Sequence, residues 1–600
     1  MTITELVKIF WSIIAPDNKK RLFFVVFMQC VAAVVENVMA VSIASFASFS
    51  VNPQAFLENT KVIILLSHIP FVEARVVDIM LFLVAAMVVS VALKVVFSLS
   101  SEYMQSTLAE KISNDTAMAT MKSLMARSFS WHLKQNPADL VLALQWRQFG
   151  SGLCSTITQI VFNIMLALLL LSTLCFADPV LVIPMLIISC MGGAVYKVFR
   201  GRVSSTSKLY FYICLVINAI VSRGIYGVRE VKVFQAENYL EKELSEQLDK
   251  GAPYRALQKF YAVCPTNALE FLVIMTVGGF GAYLIIWSGM SQGAAVAMLS
   301  LLAVSGWRMV PAANKIITGF KTLEQSWPYL EKLATYISGG HREVYEDGEQ
   351  AELCFDNDIR VDNLAFSYDV ESLPVLSDVS FDIRKAQTTA IIGDSGAGKS
   401  TMLYLLLGLL DPTGGNILLG DRRLDATTRG AWLKRVGYVP QSPYVQTGTL
   451  AENIAFGVPK PEISIDRVME CCKLAAIDFI DELANGLDTV VGDGGVRLSG
   501  GQCQRVAIAR ALYRDPCVLI FDEATSALDT HNEQAVMGAL MSLRGKMTMV
   551  LVTHRLDSAF ACDRVVYLRK GEAVVVGAPD EIIPLYKERQ VCDVGFSECR

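Results

Sequence analysis

This chain of 600 residues has few charges for its length. Charged residues make up 18% of it and the formal net charge is only −5, whereas hydrophobic residues make up 53%. A nucleic-acid-binding protein needs a strongly basic surface, so this balance argues against a nucleic-acid partner. The composition is also more apolar than that of an ordinary soluble protein. We therefore expect more than one domain, with membrane-embedded segments in at least one of them.

The fourteen cysteines lack the paired spacings that are typical of metal sites. Cys471 and Cys472 are adjacent rather than separated by two residues, so we interpret them as small buried apolar side chains. The other cysteines are scattered through apolar runs and the second half of the chain, where we expect most thiols to stay reduced. No cysteine is predicted to be catalytic.

Long apolar runs fill the first half of the chain. Six are long enough to cross a bilayer, at residues 22–49, 76–99, 153–176, 179–198, 267–288 and 293–310. An amphipathic stretch at 1–15 predicts a helix on the membrane surface, and a short apolar segment at 56–69 predicts an external helix. The first run is not expected to be a cleaved signal peptide, because its removal would leave an odd number of spans.

The basic residues between these runs predict their orientation. Lysines and arginines are frequent between the second and third runs and between the fourth and fifth, whereas residues 177–178 and 288–292 contain none. By the positive-inside rule, the two basic connections and both termini are cytosolic. The connections have a helical pattern of polar and apolar residues. We therefore expect the spanning helices to continue into the cytosol and to reach the second half of the chain.

Four charged residues fall in or at the ends of the predicted spans, namely Glu36, Lys94, Glu270 and Arg308. Charges at this depth are costly unless they are paired or face water. One interpretation is a polar translocation cavity. The other is that Lys94 and Arg308 extend towards the membrane surface, or that a glutamate and a basic residue hold two helices together.

A glycine-rich turn in the second half follows an apolar strand and opens a helix. Residues 391–401 read IIGDSGAGKST and match the phosphate-loop pattern GxxxxGK[ST]. Glycines let backbone N–H groups surround the phosphates, and the helix start adds its positive dipole end. Lys399 is predicted to reach the β- and γ-phosphates and Ser400 to bind Mg²⁺. The nucleotide-binding residues predicted here are Gly393, Asp394, Ser395, Gly396, Ala397, Gly398, Lys399, Ser400 and Thr401.

Five further residues follow predicted strands in an order that suits ATP hydrolysis. Tyr368 is an aromatic residue that can stack on a purine. Gln441 is predicted to meet Mg²⁺ and the attacking water, and Asp522 to bind the metal. Glu523 is predicted to polarise the water as the catalytic base, and His554 to contact the γ-phosphate. Each signal is weak alone, but all of them around one phosphate loop predict an ATPase.

Residues 498–502 read LSGGQ, and at this motif the chain resembles the ATP-binding cassette (ABC) superfamily. The resemblance covers the whole chain, with the membrane half first, as in exporter half-transporters. It implies an α-helical membrane domain with six transmembrane helices (1–340), followed by an α/β P-loop nucleotide-binding domain (341–600) after a hinge at 337–358. It also implies that residues 491–494 form the exporter X-loop, with Asp493 where glutamate is usual.

The resemblance further implies that two chains share each ATP. The phosphate loop of one subunit and the signature of the other, here Ser499, Gly500, Gly501 and Gln502, enclose the nucleotide together with the D-loop residue Asp529. One intact copy of each motif predicts a homodimer with two hydrolytic sites. ATP binding then closes the cassettes, hydrolysis opens them, and the membrane cavity alternates between its two faces. The expected location is the bacterial cytoplasmic membrane.

Residues 307–318 are similar to the end of the last span in PglK-type lipid-linked oligosaccharide flippases. In that group basic cavity residues are thought to meet a lipid pyrophosphate, and Arg308 falls at a matching position. Lys94 stands where arginine is expected and Thr266 removes another cation, which disfavours a pyrophosphate. The predicted substrate is therefore lipid-linked or amphipathic, with Arg308 and Lys94 as candidate contacts.

Other functions stay open at this point. A multidrug, lipid or peptide exporter is the nearest alternative, and an ATP-gated channel or a regulatory membrane ATPase is a more distant one. A peptide exporter with a cysteine protease domain is disfavoured, because the first span begins almost at once.

Overall fold

The computed structural model describes residues 3–51, 53, 76–177, 179–286, 292–338, 357–369, 373–493, 495–523, 537–538 and 541–597. It divides into two compact units. The first comprises residues 1–126 and 135–340, and the second comprises residues 127–134 and 341–600. The predicted external helix at 56–69 and most of the predicted hinge lie outside the described residues.

The first half of the chain is helical throughout its described part. Its helices are α1 (Ile3–Ile13), α2 (Pro16–Val51), α3 (Val76–Met125), α4 (Phe129–Leu133), α5 (Pro137–Gln145), α6 (Arg147–Ala177), α7 (Val182–Tyr226), α8 (Val228–Val233), α9 (Glu237–Ile286) and α10 (Gln292–Ser338). The 50 residues of α3 extend for about 75 Å, whereas ~20 residues are enough to cross a bilayer.

Five helical stretches of the described chain are long and apolar enough to span a membrane. They are Pro16–Ile43, Val77–Met125, Pro137–Phe176, Pro179–Tyr226 and Glu237–Tyr283. The first five predicted spans lie in or overlap these stretches. The sixth, 293–310, lies at the start of α10, where most side chains are outside the description. It stays a prediction.

The core of the first unit is formed where α6, α7, α9 and α10 meet. Leu166, Leu170 and Leu174 recur every four residues along α6 and so share one face. They join Met185 of α7 and Leu269 of α9 in one buried cluster. The short helix α1 also packs on protein, because Phe10 is buried against Leu330 and Leu333 of α10. The amphipathic N-terminal stretch is therefore a helix with at least one face on the protein.

The second unit contains two main sheets. Its strands are β1 (Ile359–Phe366), β2 (Leu376–Ile383), β3 (Thr388–Gly393), β4 (Gly414–Leu419), β5 (Arg422–Arg423), β6 (Val436–Val439), β7 (Gly448–Thr449), β8 (Val490–Val491), β9 (Val518–Asp522), β10 (Thr548–Val552), β11 (Arg564–Arg569) and β12 (Glu572–Gly577). One sheet has the order β12-β11-β3-β10-β9-β6 and the other has the order β2-β1-β4-β5. β7 and β8 form a separate antiparallel pair.

The named helices of the second unit include α4 and seven later helices. The later ones are α11 (Lys399–Leu406), α12 (Arg429–Arg435), α13 (Leu450–Ile454), α14 (Ile465–Leu474), α15 (Gly500–Tyr513), α16 (Leu556–Phe560) and α17 (Pro579–Ser597). Every residue of β3, β9 and β10 is buried. Uniformly apolar strands of this kind are typical of a parallel sheet that is covered on both faces.

The segment 127–134 packs within the second unit although it comes from the connection between the second and third predicted spans. Ser128 caps α4 by accepting a hydrogen bond from the Trp131 N–H. The Phe129 ring lies 5.1 Å from the Tyr404 ring, edge to face. The Lys134 ammonium pairs with the Asp369 carboxylate. This connection therefore reaches the second unit, as its helical pattern and basic residues led us to expect.

Candidate nucleotide site

The parallel strands β3, β10, β9 and β6 end at one edge of the large sheet. Val552 of β10 lies opposite Ile391 of β3 on one side and Asp522 of β9 on the other. Val439 of β6 lies opposite Phe521. Ligands of such sheets bind at the carboxyl ends of the strands. The topology therefore gathers the turns after four separate strands, which contain most of the predicted catalytic residues.

The turn after β3 requires glycine at two positions. Gly396 and Gly398 have φ angles of +80° and +94°, which L side chains rarely adopt. A Cβ on Gly398 would lie 2.7 Å from the Leu376 side chain, so that position is also crowded. A Cβ on Gly396 would meet no atom within 4 Å. The loop therefore presents backbone to open space at Gly396, as a phosphate cradle requires.

Lys399 is the first residue of α11 and is only 6% exposed. Its ammonium donates hydrogen bonds to the carbonyl oxygens of Gly393 (2.9 Å) and Asp394 (2.8 Å). Burial lowers the pKa of Lys399, and the carboxylates of Glu523, Asp394 and Asp522 act in the opposite direction. The predicted phosphate-binding cation is thus held beside the loop by backbone oxygens, which several negative phosphate oxygens can replace.

Glu523 is brought together with the two other predicted catalytic residues. Its Oε1 lies 2.8 Å from Nε2 of His554, and its Oε2 accepts a hydrogen bond of 2.8 Å from Nε2 of Gln441. The backbone of Glu523 has a φ of +47°, and its N–H donates to the Val552 carbonyl. Strained backbone of this kind is concentrated at functional sites. It turns the carboxylate away from the strand and towards the ends of β6 and β10.

Asp522, Ser400 and Gln441 are the predicted Mg²⁺ ligands. Asp522 is 9% exposed. Burial raises its pKa, the neighbouring Glu523 adds to the rise, and a hydrogen bond with Tyr438 opposes it. The side chains of Ser400 and Gln441 are exposed at the same strand ends. A carboxylate, a hydroxyl and an amide oxygen are hard donors, and a cation would relieve the cost of the buried Asp522 charge. This set fits Mg²⁺.

Tyr368 lies just after β1 and is tied to the phosphate-loop helix. Its hydroxyl is 3.1 Å from Oγ1 of Thr401, and its ring lies edge-on to Phe366 with the centroids 5.0 Å apart. The side chain stays 38% exposed. The Lys134 ammonium also approaches the Tyr368 carbonyl oxygen at 3.5 Å. The hydroxyl, the ring and the backbone carbonyl of Tyr368 each have a contact that helps to position the residue. The ring keeps exposed surface that can stack on a base.

The signature motif forms the start of α15. Ser499 is the N-cap residue, and its hydroxyl accepts from the Gln502 N–H at 3.3 Å. The Gln502 side chain accepts from the Ser499 N–H at 2.8 Å, which completes a capping box. Gly500 and Gly501 follow the cap in the first turn. This arrangement leaves the positive end of a 14-residue helix open to an anion. Asp529 lies outside the described residues, as does Gly494 of the predicted X-loop.

Three contacts around the site were not predicted from the sequence. Gln504 is 2% exposed and donates to the Pro440 carbonyl at 3.2 Å, which fixes the turn that carries Gln441. Tyr438 hydrogen-bonds Asp522. Tyr586 of the C-terminal helix contacts Asp394. The buried glutamine two residues after LSGGQ was a readable signal for the first. The other two pairs are far apart in sequence and gave none.

The membrane unit places Lys94 and Glu36 at one cleft. Glu102, Gln29, Gln105 and Lys315 also line it. Glu270 is exposed and is not among the lining residues. Arg308 lies on α10, but its side chain is outside the described part of the chain. Lys94 therefore faces a polar cleft, whereas the predicted contact of Arg308 stays a prediction.

Two family models match this chain. Residues 22–309 match the ABC transporter transmembrane region, and residues 376–526 match the ABC transporter family model.

Among curated proteins, an ATP-dependent lipid A-core flippase of Shewanella frigidimarina is 28% identical over 84% of each chain. The lactococcin-G-processing and transport ATP-binding protein LagD of Lactococcus lactis is 27% identical over 82% of this chain and 69% of its own. Among solved structures, a bacterial Atm1-family ABC exporter with ATP bound has a TM-score of 0.79 at 23% identity, over 96% of this chain and 99% of its own.

Proposed function

Because this chain belongs to the ABC transporter family, as a half-transporter of the exporter type, we propose that it works as a homodimer. It is an integral membrane protein that couples ATP hydrolysis to transport. The assignment of ATP hydrolysis rests on the cluster of Glu523, Gln441 and His554 at the end of the phosphate-loop sheet. One signature helix is present for one phosphate loop, so two copies supply two complete sites if each signature faces the partner's nucleotide.

The side chains divide the hydrolytic reaction among them. Lys399 and the loop N–H groups bind the phosphates, and Tyr368 stacks on the adenine. Ser400, Asp522 and Gln441 would hold Mg²⁺, which would supply positive charge to offset that of the phosphates. Glu523 accepts a proton from the attacking water, after its contact with Gln441 or His554 has opened to admit that water. His554 then lies beside the γ-phosphate, where it stabilises the developing charge.

We place the protein in the bacterial cytoplasmic membrane with both termini and the ATP-binding domain in the cytosol. The positive-inside pattern supports this orientation. The packing of residues 127–134 within the second unit supports it as well, because this segment comes from a basic connection. The boundary between the membrane and ATP-binding domains is proposed near residue 340, with the segment 127–134 as the exception.

The membrane unit has the features of a site for an amphipathic substrate. The polar cleft lies between α2, α3, α6 and α10 and is lined by Asn163 and Lys315, among others. An apolar cleft is lined by Ala167, one turn further along α6 than Asn163, and by Ile316, which follows Lys315 on α10. A polar cleft and an apolar cleft thus adjoin the same two helices. A molecule with a charged head and an apolar tail fits both.

The wall of the polar cleft is held by neutral hydrogen bonds. Gln29 donates to Gln105 at 3.0 Å. Gln105 in turn donates to the Ser155 carbonyl (3.0 Å) and to Thr158 (3.2 Å). Lys94, Ser98, Ser101 and Gln105 recur at helical spacing, so one face of α3 supplies them. The neutral residues form hydrogen bonds within the wall of the cleft, and the charged residues line the same cleft.

The charges of the polar cleft are of both signs. Within the described chain, the side chains of Lys94, Glu102 and Lys315 form no ion pair and no hydrogen bond, although all three line this cleft with Glu36. A pyrophosphate offers only negative charge and would be repelled by Glu102. A zwitterionic head group offers an anion to the lysines and a cation to Glu102. We therefore propose a zwitterionic amphiphile, such as a phospholipid with an amine head group.

Transport in proteoliposomes tests this proposal. We expect ATP-dependent flipping of a fluorescent amine-headed phospholipid, at least several times faster than that of a glycerol-headed anionic analogue with the same chains. Lys94→Gln and Glu102→Gln should each lower the ratio of lipid flipped to ATP hydrolysed about tenfold. The matched control is Lys208→Gln, a basic residue of α7 that does not line the cleft.

Other outcomes identify the alternatives. Faster flipping of the anionic analogue or of a lipid-linked oligosaccharide would overturn the zwitterionic head group, and Arg308→Ala should then impair transport of the anionic lipid. ATP-dependent export of drugs or peptides without lipid flipping would favour a multidrug or peptide exporter. A conductance that is insensitive to ATP would favour a channel and overturn the transport proposal altogether.

A further inference from the structure

The phosphate loop of this chain carries an acidic side chain. Asp394 is the second residue of the loop, directly after Gly393, and its side chain is partly exposed. ATP brings several negative charges to this loop, and a carboxylate pointing at them would repel the nucleotide. The backbone carbonyl of the same residue accepts a hydrogen bond from Lys399 at 2.8 Å. Asp394 therefore contributes a side-chain charge to the loop and a backbone contact to the loop's cation.

The C-terminal helix holds this carboxylate. Tyr586 of α17 is 5% exposed, and its hydroxyl donates a hydrogen bond to Oδ1 of Asp394 at 3.3 Å. The Tyr586 ring packs edge to face on Tyr567, with the centroids 5.1 Å apart. Tyr567 lies on β11, opposite Ile392 of β3, one residue before the loop begins. The strand next to the loop thus positions the tyrosine that reaches the loop.

The Tyr586 hydroxyl always has a proton to donate to Asp394. Burial raises the pKa of Tyr586 to about 12, and the charge of Asp394 contributes to the rise. The phenol therefore stays protonated over the whole range in which ATP is hydrolysed. The hydroxyl donates to the carboxylate oxygen and thereby restrains the direction of the Asp394 side chain.

We propose that Tyr586 is a positioning residue, which turns the Asp394 carboxylate towards the C-terminal helix and away from bound phosphates. The helix α17 thereby sets the affinity of the phosphate loop for ATP. This goes beyond the proposed transport function, because it assigns control of nucleotide affinity to a segment that follows the last strand of the sheet. Without the tyrosine hydroxyl, the Asp394 carboxylate loses its hydrogen bond to this helix.

Tyr586→Phe tests this inference in the full-length protein in lipid nanodiscs. The variant keeps the ring that packs on Tyr567 and loses only the hydroxyl. We expect the Kd of a fluorescent ATP analogue to rise about three- to tenfold, with the KM for ATP, while kcat at saturating ATP changes less than twofold. Asp394→Asn removes the repelling charge and should bind ATP at least as tightly as the natural protein.

The double variant decides between positioning and general packing. If Tyr586 acts through the Asp394 charge, Tyr586→Phe has no further effect on Kd in the Asp394→Asn background. Tyr567→Phe is the matched control, since it removes the hydroxyl of the packing partner and should leave Kd unchanged. An unchanged Kd in Tyr586→Phe, or the same loss in both backgrounds, would overturn the inference. Because the readout is nucleotide affinity, this result is independent of whether any lipid is transported.

Discussion

The two units of this chain differ in how much of their apolar surface is buried inside the protein. In the second unit the central strands β3, β9 and β10 are buried at every position. In the five candidate membrane spans only 17–28% of the most apolar window is buried inside the protein. Large side chains such as Phe23, Leu81 and Phe271 are more than 60% exposed on these helices. Exposure of apolar surface to water is unfavourable, whereas exposure to lipid is not.

This difference determines how each unit encodes its function. The parallel sheet has a common edge where four strands end, so turns about 160 positions apart, at Gly393 and at His554, both lie at that edge. The membrane helices impose no comparable edge. Their polar residues are defined by which faces happen to meet, as Lys94 and Lys315 do at the polar cleft. A motif therefore specifies the first site, whereas the second depends on packing.

The largest effect on ATP turnover is expected when the catalytic base is removed. Glu523→Gln should lower ATP turnover at least about 100-fold, because general-base catalysis contributes that much or more. ATP binding should persist and the dimer should stay closed. Phosphate release and size-exclusion chromatography with ATP measure the two effects.

Glu482→Gln is the control for the loss of a glutamate charge, since Glu482 is exposed and is not among the predicted site residues. Near-normal hydrolysis in Glu523→Gln would remove Glu523 as the base. A strictly monomeric protein with full turnover would contradict the homodimer.

A smaller effect is expected from the phosphate loop itself. Gly398→Ala forces a side chain into a backbone with φ +94° and places its Cβ 3.2 Å from the Val375 carbonyl and 2.7 Å from Leu376. Strain of about 1–3 kcal/mol should lower ATP affinity about tenfold or more. Isothermal titration measures the change. Affinity equal to that of the natural protein would show that the loop does not need this conformation.

Effects on stability alone are expected at two glycines of the membrane unit, where the backbone conformation itself is not strained. A Cβ on Gly319 of α10 would lie 2.6 Å from the Ile160 side chain of α6, whereas one on Gly201 of α7 would touch nothing within 4 Å. Gly319→Ala should destabilise the unit by about 1–3 kcal/mol through overpacking. Gly201→Ala should stabilise it by up to about 1 kcal/mol through helix propensity. Thermal unfolding in detergent compares the two, and equal midpoints would contradict the close packing.

Much of the nucleotide site could be predicted from single residues. Gln441, Asp522, Glu523 and His554 each lie at or just after the end of a strand, and the sheet order brings Gln441 and His554 to within hydrogen-bond distance of Glu523. The Tyr586–Asp394 contact could not be predicted, because no local pattern links a C-terminal helix to a loop 192 residues earlier. In the membrane unit Lys94 was identifiable as a costly charge, but nothing in the sequence showed that Lys315 and Glu102 share its cleft.

The sequence alone determined the class of each half, since long apolar runs require lipid and the loop GxxxxGKS requires phosphate. It also determined the chemistry of ATP hydrolysis, because strand ends and glycine turns are local features. Only the tertiary structure decided which distant side chains meet, such as Tyr586 with Asp394 and Lys94 with Glu36 at one cleft. The physical reason is that backbone conformation depends on neighbours in the chain, whereas contacts between elements depend on how whole surfaces pack.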